Sequence, residues 1–330
     1  MRTHRTLSCL VWLALVVVTP AMTAMTACHP KAVEAPYAEG QAPSSEVLLA
    51  AAAPRISALR VSSAKVRIGR SPAANLMFLA QKPARFSGQV QIAGRELVSL
   101  AFHEQGYALR NVAADGLPEG FYAGPPADCA IRQLIGVPFS APELIDLVLG
   151  GSPRIAGPVE VVEQRWDRRT GHEVLRLRTP GAEQELRFAW VSGAWWVAGS
   201  TLWTRNAAGG LTRLWSLLHE DLRPVATTVL PESTRISRPD GRKEQKVSIS
   251  YRSQIPNPDL GDAGASAEAD DEGWEDEDTA AADGEDGNGG EDGDSAAATP
   301  APAPAAPAKI PPQFMLDGAG LSPRGDLCRR

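Results

Sequence analysis

Apolar and polar side chains alternate with a period of two in run after run of this 330-residue chain, a pattern that fits strands half-buried in a sheet. Ala64, Val66 and Ile68 alternate with Ser63, Lys65 and Arg67. Phe86, Gly88, Val90 and Ile92 alternate with Arg85, Ser87, Gln89 and Gln91. Ala93-Gly94-Arg95 turns the chain into Val98, Leu100 and Phe102, and Gln105-Gly106 turns it again before Tyr107 and Leu109. A second series follows at Val159–Trp166, His172–Thr179, Glu183–Val191, Ala194–Asn206, Leu211–His219, Thr227–Ser237 and Lys246–Ser253. The breaks between them include Pro180-Gly181, Gly193, Gly209-Gly210 and Arg238-Pro239-Asp240-Gly241. The reading is a mainly β chain of about ten or eleven antiparallel strands. A sheet that long must curl to hide its edges.

Helical signals are few. Glu46–Leu59 is a short apolar helical stretch split by Pro54. Between the two strand series, Cys129–Ile135 ends at Gly136. Ser140-Ala141-Pro142-Glu143 is a capping box that launches Leu144–Leu149, and Gly150-Gly151 stops it.

Charge divides the chain unevenly. Asp259 to Ala308 holds sixteen carboxylates and no Lys or Arg. Setting that block aside leaves 33 basic against 23 acidic side chains, a balance of +10 for the rest. The block has too few large apolar side chains to bury anything and is expected to be disordered, a solvated spacer. Two alternatives are a screen folded back on the basic body and a weak binder of divalent cations. Asp283–Asn288 lacks the order of an EF-hand loop.

The first 27 residues have the character of an address. Arg2 and Arg5 precede the apolar core Leu7–Val18, and small residues follow from Ala21 to Ala27. That core is too short to span a bilayer, and no apolar run in the chain reaches 18 residues. Met25-Thr26-Ala27-Cys28 resembles the bacterial lipobox, with Met25 where Leu is usual. The resemblance implies a covalent N-acyl diacylglyceryl lipid on Cys28. His29 in place of Asp implies an outer-membrane lipoprotein facing the periplasm. The other reading is ordinary signal cleavage with Cys28 as a spare thiol, although 23–27 offers no clean Ala-x-Ala. Residues 28–45 then form a tether. Of the four cysteines, Cys9 leaves with the leader, and Cys129 and Cys328 remain in an oxidising compartment. They form either a bridge, worth roughly 5 kcal/mol for a loop of about 200 residues, or two unpaired thiols.

The order of elements looks like the LolA/LolB-type lipoprotein carriers. The residues that carry the likeness are Leu76–Lys82 with Pro83-Ala84-Arg85-Phe86, Leu134-Ile135-Gly136-Val137-Pro138 and Glu143–Gly151. Later come Leu230-Pro231, Ile249-Ser250-Tyr251, Asn257-Pro258 and Phe314–Gly320. The resemblance implies a curved antiparallel half-barrel, with helices covering its concave face. On that basis residues 46–258 form the half-barrel, 259–308 an insert, and 309–330 a closing strand and C-terminus. In LolB a protruding apolar loop serves lipoprotein insertion. The matching connection here, Ala93-Gly94-Arg95, has nothing apolar to protrude. That departure implies a relative that binds lipid or a hydrophobic partner without the insertion step.

An acyl chain or a lipoprotein is therefore the expected ligand, held by Phe86, Val90, Leu100, Phe102, Trp190, Trp195 and Trp203. The protein partner is unspecified, with an assembly-factor role as the alternative. Eight Trp stand against four Tyr, and by simple parity Trp195, Val197 and Trp203 share one strand face while Trp196 and Leu202 share the other. These indoles either fill a core or line a cavity. His103, His172 and His219 lack metal-ligand spacing, and no nucleophile elbow, Walker loop or dinucleotide fingerprint is present. No enzyme, metal site, cofactor or nucleic-acid partner is expected.

Overall fold

The computed structural model describes residues 32–114, 117–125, 128–136, 138–241, 243–260 and 310–329, without the side chains of 129, 134, 135 and 329. The leader, Cys28 and nearly all of the acidic block lie outside the described residues. Helix α1 (Ser45–Ala51) precedes β1 (Ala58–Ile68), β2 (Ala74–Gln81), β3 (Arg85–Ile92), β4 (Arg95–His103), β5 (Gly106–Asn111) and β6 (Gly120–Gly124). Helices α2 (Asp128–Ile135) and α3 (Ala141–Val148) follow. The chain then runs through β7 (Glu160–Asp167), β8 (His172–Arg178), β9 (Ala182–Val191), β10 (Ala194–Arg205), β11 (Leu211–Val225), β12 (Thr228–Asp240), β13 (Lys243–Pro256) and the short β14 (Pro323–Gly325).

The fourteen strands of the described residues share one sheet, in the order β14-β6-β5-β4-β3-β2-β1-β13-β12-β11-β10-β9-β8-β7. Every pair is antiparallel except β14 with β6. The sheet stays open, with β14 and β7 as its edges. The first meander runs outward from β1, and the chain leaves it at β6 for the two helices. It re-enters at the opposite edge, β7, and works back until β13 pairs with β1.

Fourteen strands replace the expected ten or eleven. In β2, Ala74, Leu76, Phe78 and Ala80 are buried, but Met77 and Leu79 between them are apolar too and blur the period of two. The short strands β6 and β14 carry little periodicity. Leu59 belongs to β1, so the first helix is shorter than the sequence pattern indicated. The apolar Phe314–Leu316 segment is not extended throughout: Pro312–Phe314 forms a 3-10 turn that buries Phe314.

Bulges decide which side chains face inward. Between Val61 and Ala64, two residues of β1 oppose one of β2, so both apolar residues face the core while Ser62 and Ser63 stay exposed. In β10 the extra residue is Ala198: Val197 pairs with Phe188, but Gly199 pairs with Arg187. The parity expected from sequence is thereby inverted beyond that point. Leu202 joins Trp195 and Val197 on the inner face, opposite the buried Gln184. Trp203 turns outward opposite Glu183.

The inner face carries the core. Its larger cluster joins α2 and α3 to β1, β2, β4–β6 and β11–β13; a smaller one packs Leu48 and Ala52 at α1 onto Leu175, Leu186, Phe188, Trp195 and Val197. The capping box forms as expected. Glu143 N–H donates to Ser140 Oγ at 3.4 Å, and Ser140 N–H donates to Glu143 Oε2 at 2.7 Å. Gly150, at φ +87°, ends α3 in the left-handed conformation that glycine adopts without strain.

The outer face is charged. Glu183, itself buried, receives Arg176 at 2.7 Å, Arg178 at 3.2 Å and Arg205 at 2.8 Å. Burial works to raise its carboxyl, and the Arg176 and Arg178 guanidiniums overcome that and hold it below the ordinary range. The C-terminal segment crosses the outer face of β3–β6. Asp317 pairs with Arg110 at 3.6 Å, and Arg324 Nε donates to the Glu119 carbonyl at 2.9 Å.

Candidate functional site

Three rows of side chains, read across the register, build the inner surface of the first meander. Tyr251, Ala64, Leu76, Val90 and Val98 form one row on five neighbouring strands. Val61, Phe78, Gly88, Leu100, Leu109 and Tyr122 form the next. Leu59, Ala80, Phe86, Phe102 and Tyr107 form the third. Each row is apolar because alternate residues of every strand point the same way.

Between these rows and the helices lies a cavity of about 660 Å³. Leu76, Val90, Val98 and Leu100 wall it on the sheet side, with Val66, Val247 and Ile249 beside them. Ile131 of α2 and Leu144 and Val148 of α3 close it from above. Among the described residues, no charged side chain lines it. Its polar side chains are Ser71, Gln133 and Gln245. The volume falls within the range of about 300–1,000 Å³ usual for small-molecule sites, and a lining this apolar offers an oily chain contact without unpaired polar groups.

One end is walled by aromatic rings. Phe78 stacks on Phe86 with centroids 5.6 Å apart, and Phe86 on Phe102 at 5.3 Å. Gly88 makes that stack fit. A Cβ there would come within 2.6 Å of the Phe86 ring and 3.2 Å of Phe78 Cβ, so the ring lies across bare backbone. The other end is open. Ile68 at the close of β1 and Ile92 at the close of β3 both line the cavity and are 37% and 41% exposed. Ser71 and Pro72 of the β1–β2 turn and Leu97 of β4 complete that lip.

Of the residues named from sequence, Phe86, Val90 and Leu100 line the cavity. Phe102 is the last ring of that stack and lies off the cavity, on a satellite void of about 10 Å³ that Leu100 also touches. The three tryptophans lie elsewhere. Trp195 belongs to the cluster under α1, with Trp190 edge-on to it at 5.0 Å, and Trp203 is on the outer face. Val247 and Ile249 were not among those candidates, although their own strand alternates. What the sequence withholds is that β13, near the end of the meander, pairs with β1 at its start.

A buried polar chain fastens the cover. His219 lies in the row His219, Thr234, Ile249, Val66, Ala74. Its Nε2 is 3.0 Å from the Gly151 carbonyl, which can only accept, so Nε2 carries the proton. Its Nδ1 then accepts from Thr234 Oγ1 at 2.9 Å, and Thr234 Oγ1 accepts from Tyr251 at 3.3 Å. The segment that ends α3 is thus pinned to the sheet from inside. Burial drives the imidazolium down to about 4 from 6.5, which keeps His219 neutral. His103 and His172 sit on other strands, and among the described residues no group of three His, Cys, Asp or Glu could hold a metal.

No family model matches the sequence, and no curated protein does. Two solved structures are similar in outline. A LolA superfamily protein from Nitrosomonas europaea matches at 8% identity with a TM-score of 0.41, over 64% of this chain and 93% of that one. A DUF1329 family protein from Desulfovibrio piger matches at 8% identity with a TM-score of 0.39, over 66% and 92%. Neither likeness bears on what this chain binds. The cavity itself does.

Proposed function

We propose that this protein is a non-catalytic lipid-binding lipoprotein that holds an acyl chain, free or as part of a lipoprotein, inside its half-barrel. The observation that carries the reading is the apolar cavity of about 660 Å³, with no charge among its described lining residues and open at the Ile68 and Ile92 lip. A methylene takes up space comparable to a water's share of the liquid, about 30 Å³, so the cavity has room for roughly twenty such groups. That is one long chain. Phe86, Val90 and Leu100 are the contact residues from the sheet, with Leu144 and Val148 from α3.

The leader and lipobox-like Cys28 support placing the protein at the outer membrane, anchored by its own acyl chains and facing the periplasm. In the bacterial host, Cys28→Ser is expected to abolish incorporation of labelled palmitate and release the protein from the membrane fraction. Unchanged labelling would remove the anchor. Cys328 is disulfide-bonded, and the 3-10 turn that carries it, Leu327–Arg329, packs on α2, the helix containing Cys129. That supports Cys129 as its partner, and peptide mapping without reductant tests the pairing.

Native mass spectrometry of the full Cys28→Ser chain tests the binding. Lipid of one chain's bulk should co-purify and leave on mild activation. A protein that stays empty after incubation with envelope lipid extract would end the carrier reading. Stoichiometric capture of one envelope protein by that empty chain would turn the reading to an assembly factor.

A further inference from the structure

Four connections meet at the open end of the cavity. The β1–β2, β3–β4 and β12–β13 hairpins and the segment after β5 all close at this end of the sheet, because alternate strands of a meander run the same way. Two hairpins form the lip itself. Ile68 is followed by Gly69-Arg70-Ser71-Pro72, and Ile92 by Ala93-Gly94-Arg95. Ala93 (φ +50°) and Gly94 (φ +79°) make the second a tight primed turn, which fixes where Arg95 starts. The two hairpins are neighbours, about 10 Å apart at roughly 4.8 Å per strand.

Arg70 and Arg95 are both exposed, and among the described residues neither has a carboxylate partner. Two described carboxylates at this end of the sheet are engaged. Glu96 takes the Ser99 hydroxyl at 2.7 Å and lies 3.7 Å from Arg110, while Glu244 takes Arg213 at 2.6 Å and Lys246 at 3.1 Å. In the third hairpin Lys243 faces Asp240 in register. Arginines such as Arg176, Arg187 and Arg235 along β7–β13 pair with glutamates, whereas the two at the lip are left to solvent beside a pocket with no charged side chain among its described lining residues.

From this juxtaposition we infer that the ligand is an amphiphile with an anionic head, its chain in the cavity and its carboxylate or phosphate held at the mouth by Arg70 and Arg95. The inference rests on the acyl-binding reading above and narrows it. An oily tail satisfies the walls, and a guanidinium fork is matched in shape and charge to either oxyanion. Exposed positions make each contact modest, so selectivity comes from the pair acting on one head.

Calorimetric titration of the full Cys28→Ser chain with dodecanoate, dodecyl phosphate and uncharged monododecanoylglycerol tests it. Both anions should bind about tenfold tighter than the neutral lipid, and the advantage should shrink as salt rises past the point where the Debye length is about 8 Å. Phosphate above carboxylate would identify a phospholipid-type head, and carboxylate above phosphate a free fatty acid. In R70Q/R95Q the preference should vanish while neutral-lipid affinity and the melting midpoint stay unchanged. Equal binding of all three by the parent chain, or a preference that survives R70Q/R95Q, would overturn the anionic head and leave the cavity reading standing. No binding by any of them would bring down the cavity reading first.

Discussion

His219→Ala should cost about 3 kcal/mol of folding stability at neutral pH, and the wild-type chain should itself lose a comparable amount on acidification. The imidazole is buried and spans two layers, donating to the Gly151 carbonyl behind α3 and accepting from Thr234 on β12. Truncation leaves a void, the buried Gly151 carbonyl without its donor and the Thr234 hydroxyl proton without its acceptor. The pH dependence follows from the same burial. Folded, the ring protonates near 4; unfolded, near 6.5. Above pH 6.5 neither state takes the proton and the full stability is present. As pH falls from 6.5 toward 4 the unfolded chain binds a proton that the folded one refuses, so stability drains by about 1.4 kcal/mol per pH unit. Urea unfolding at pH 7.5 and pH 4.5 should therefore show a loss of about 2–3 kcal/mol in wild type that H219Q does not share. H219Q keeps a side-chain N–H for the Gly151 carbonyl and removes the titration. Equal losses in the two proteins would mean that His219 is not the buried base described above.

Much of this architecture is legible in the sequence because strand alternation is local. Arg85–Ile92 and Arg95–His103 announce themselves, and Ala93-Gly94 supplies the positive φ values their turn requires. The capping box at Ser140 is equally local, needing only the four residues that form it. Other features depend on tertiary placement. Bulges at Ser62-Ser63 and Ala198 reset which residues face inward, and no composition rule marks either, so Trp203 looks inward on paper and points outward in the fold. Three candidate lining residues lie on the cavity because they share the early meander; the tryptophans come from β9 and β10, on the far side of β1 in the sheet order. His219 is the instructive omission. A lone histidine on an apolar strand looks unremarkable, and only the return of Gly151 over the sheet gives it a partner 68 residues away.

Gly88→Leu should lower lipid affinity by more than a hundredfold while the sheet still forms. Gly88 sits between Phe78 and Leu100 in register and points into the cavity, where the Phe86 ring occupies the space a side chain would take. Its backbone has no positive φ, so the position is glycine for room and not for conformation. A branched side chain there has two places to go. It can push Phe86 off its stack with Phe78 and Phe102, or project with that ring into the 660 Å³ void. Either route fills space meant for the chain. With about 0.8 kcal/mol at stake per buried methylene, excluding four or five of them removes roughly 3–4 kcal/mol, which is the hundredfold and more. Strand β3 lies inside the sheet between β2 and β4, and its hydrogen bonds do not involve the side chain, so far-ultraviolet circular dichroism should be unchanged. Gly88→Ala, adding only the first carbon, should shift Phe86 by a fraction of an ångström and weaken binding far less. A Leu variant that melts normally and binds dodecanoate as tightly as wild type would mean that the ligand does not enter this cavity. The graded response from Ala to Leu separates loss of room from loss of fold, since a folding defect would lower the amount of competent protein without altering the affinity of the remainder.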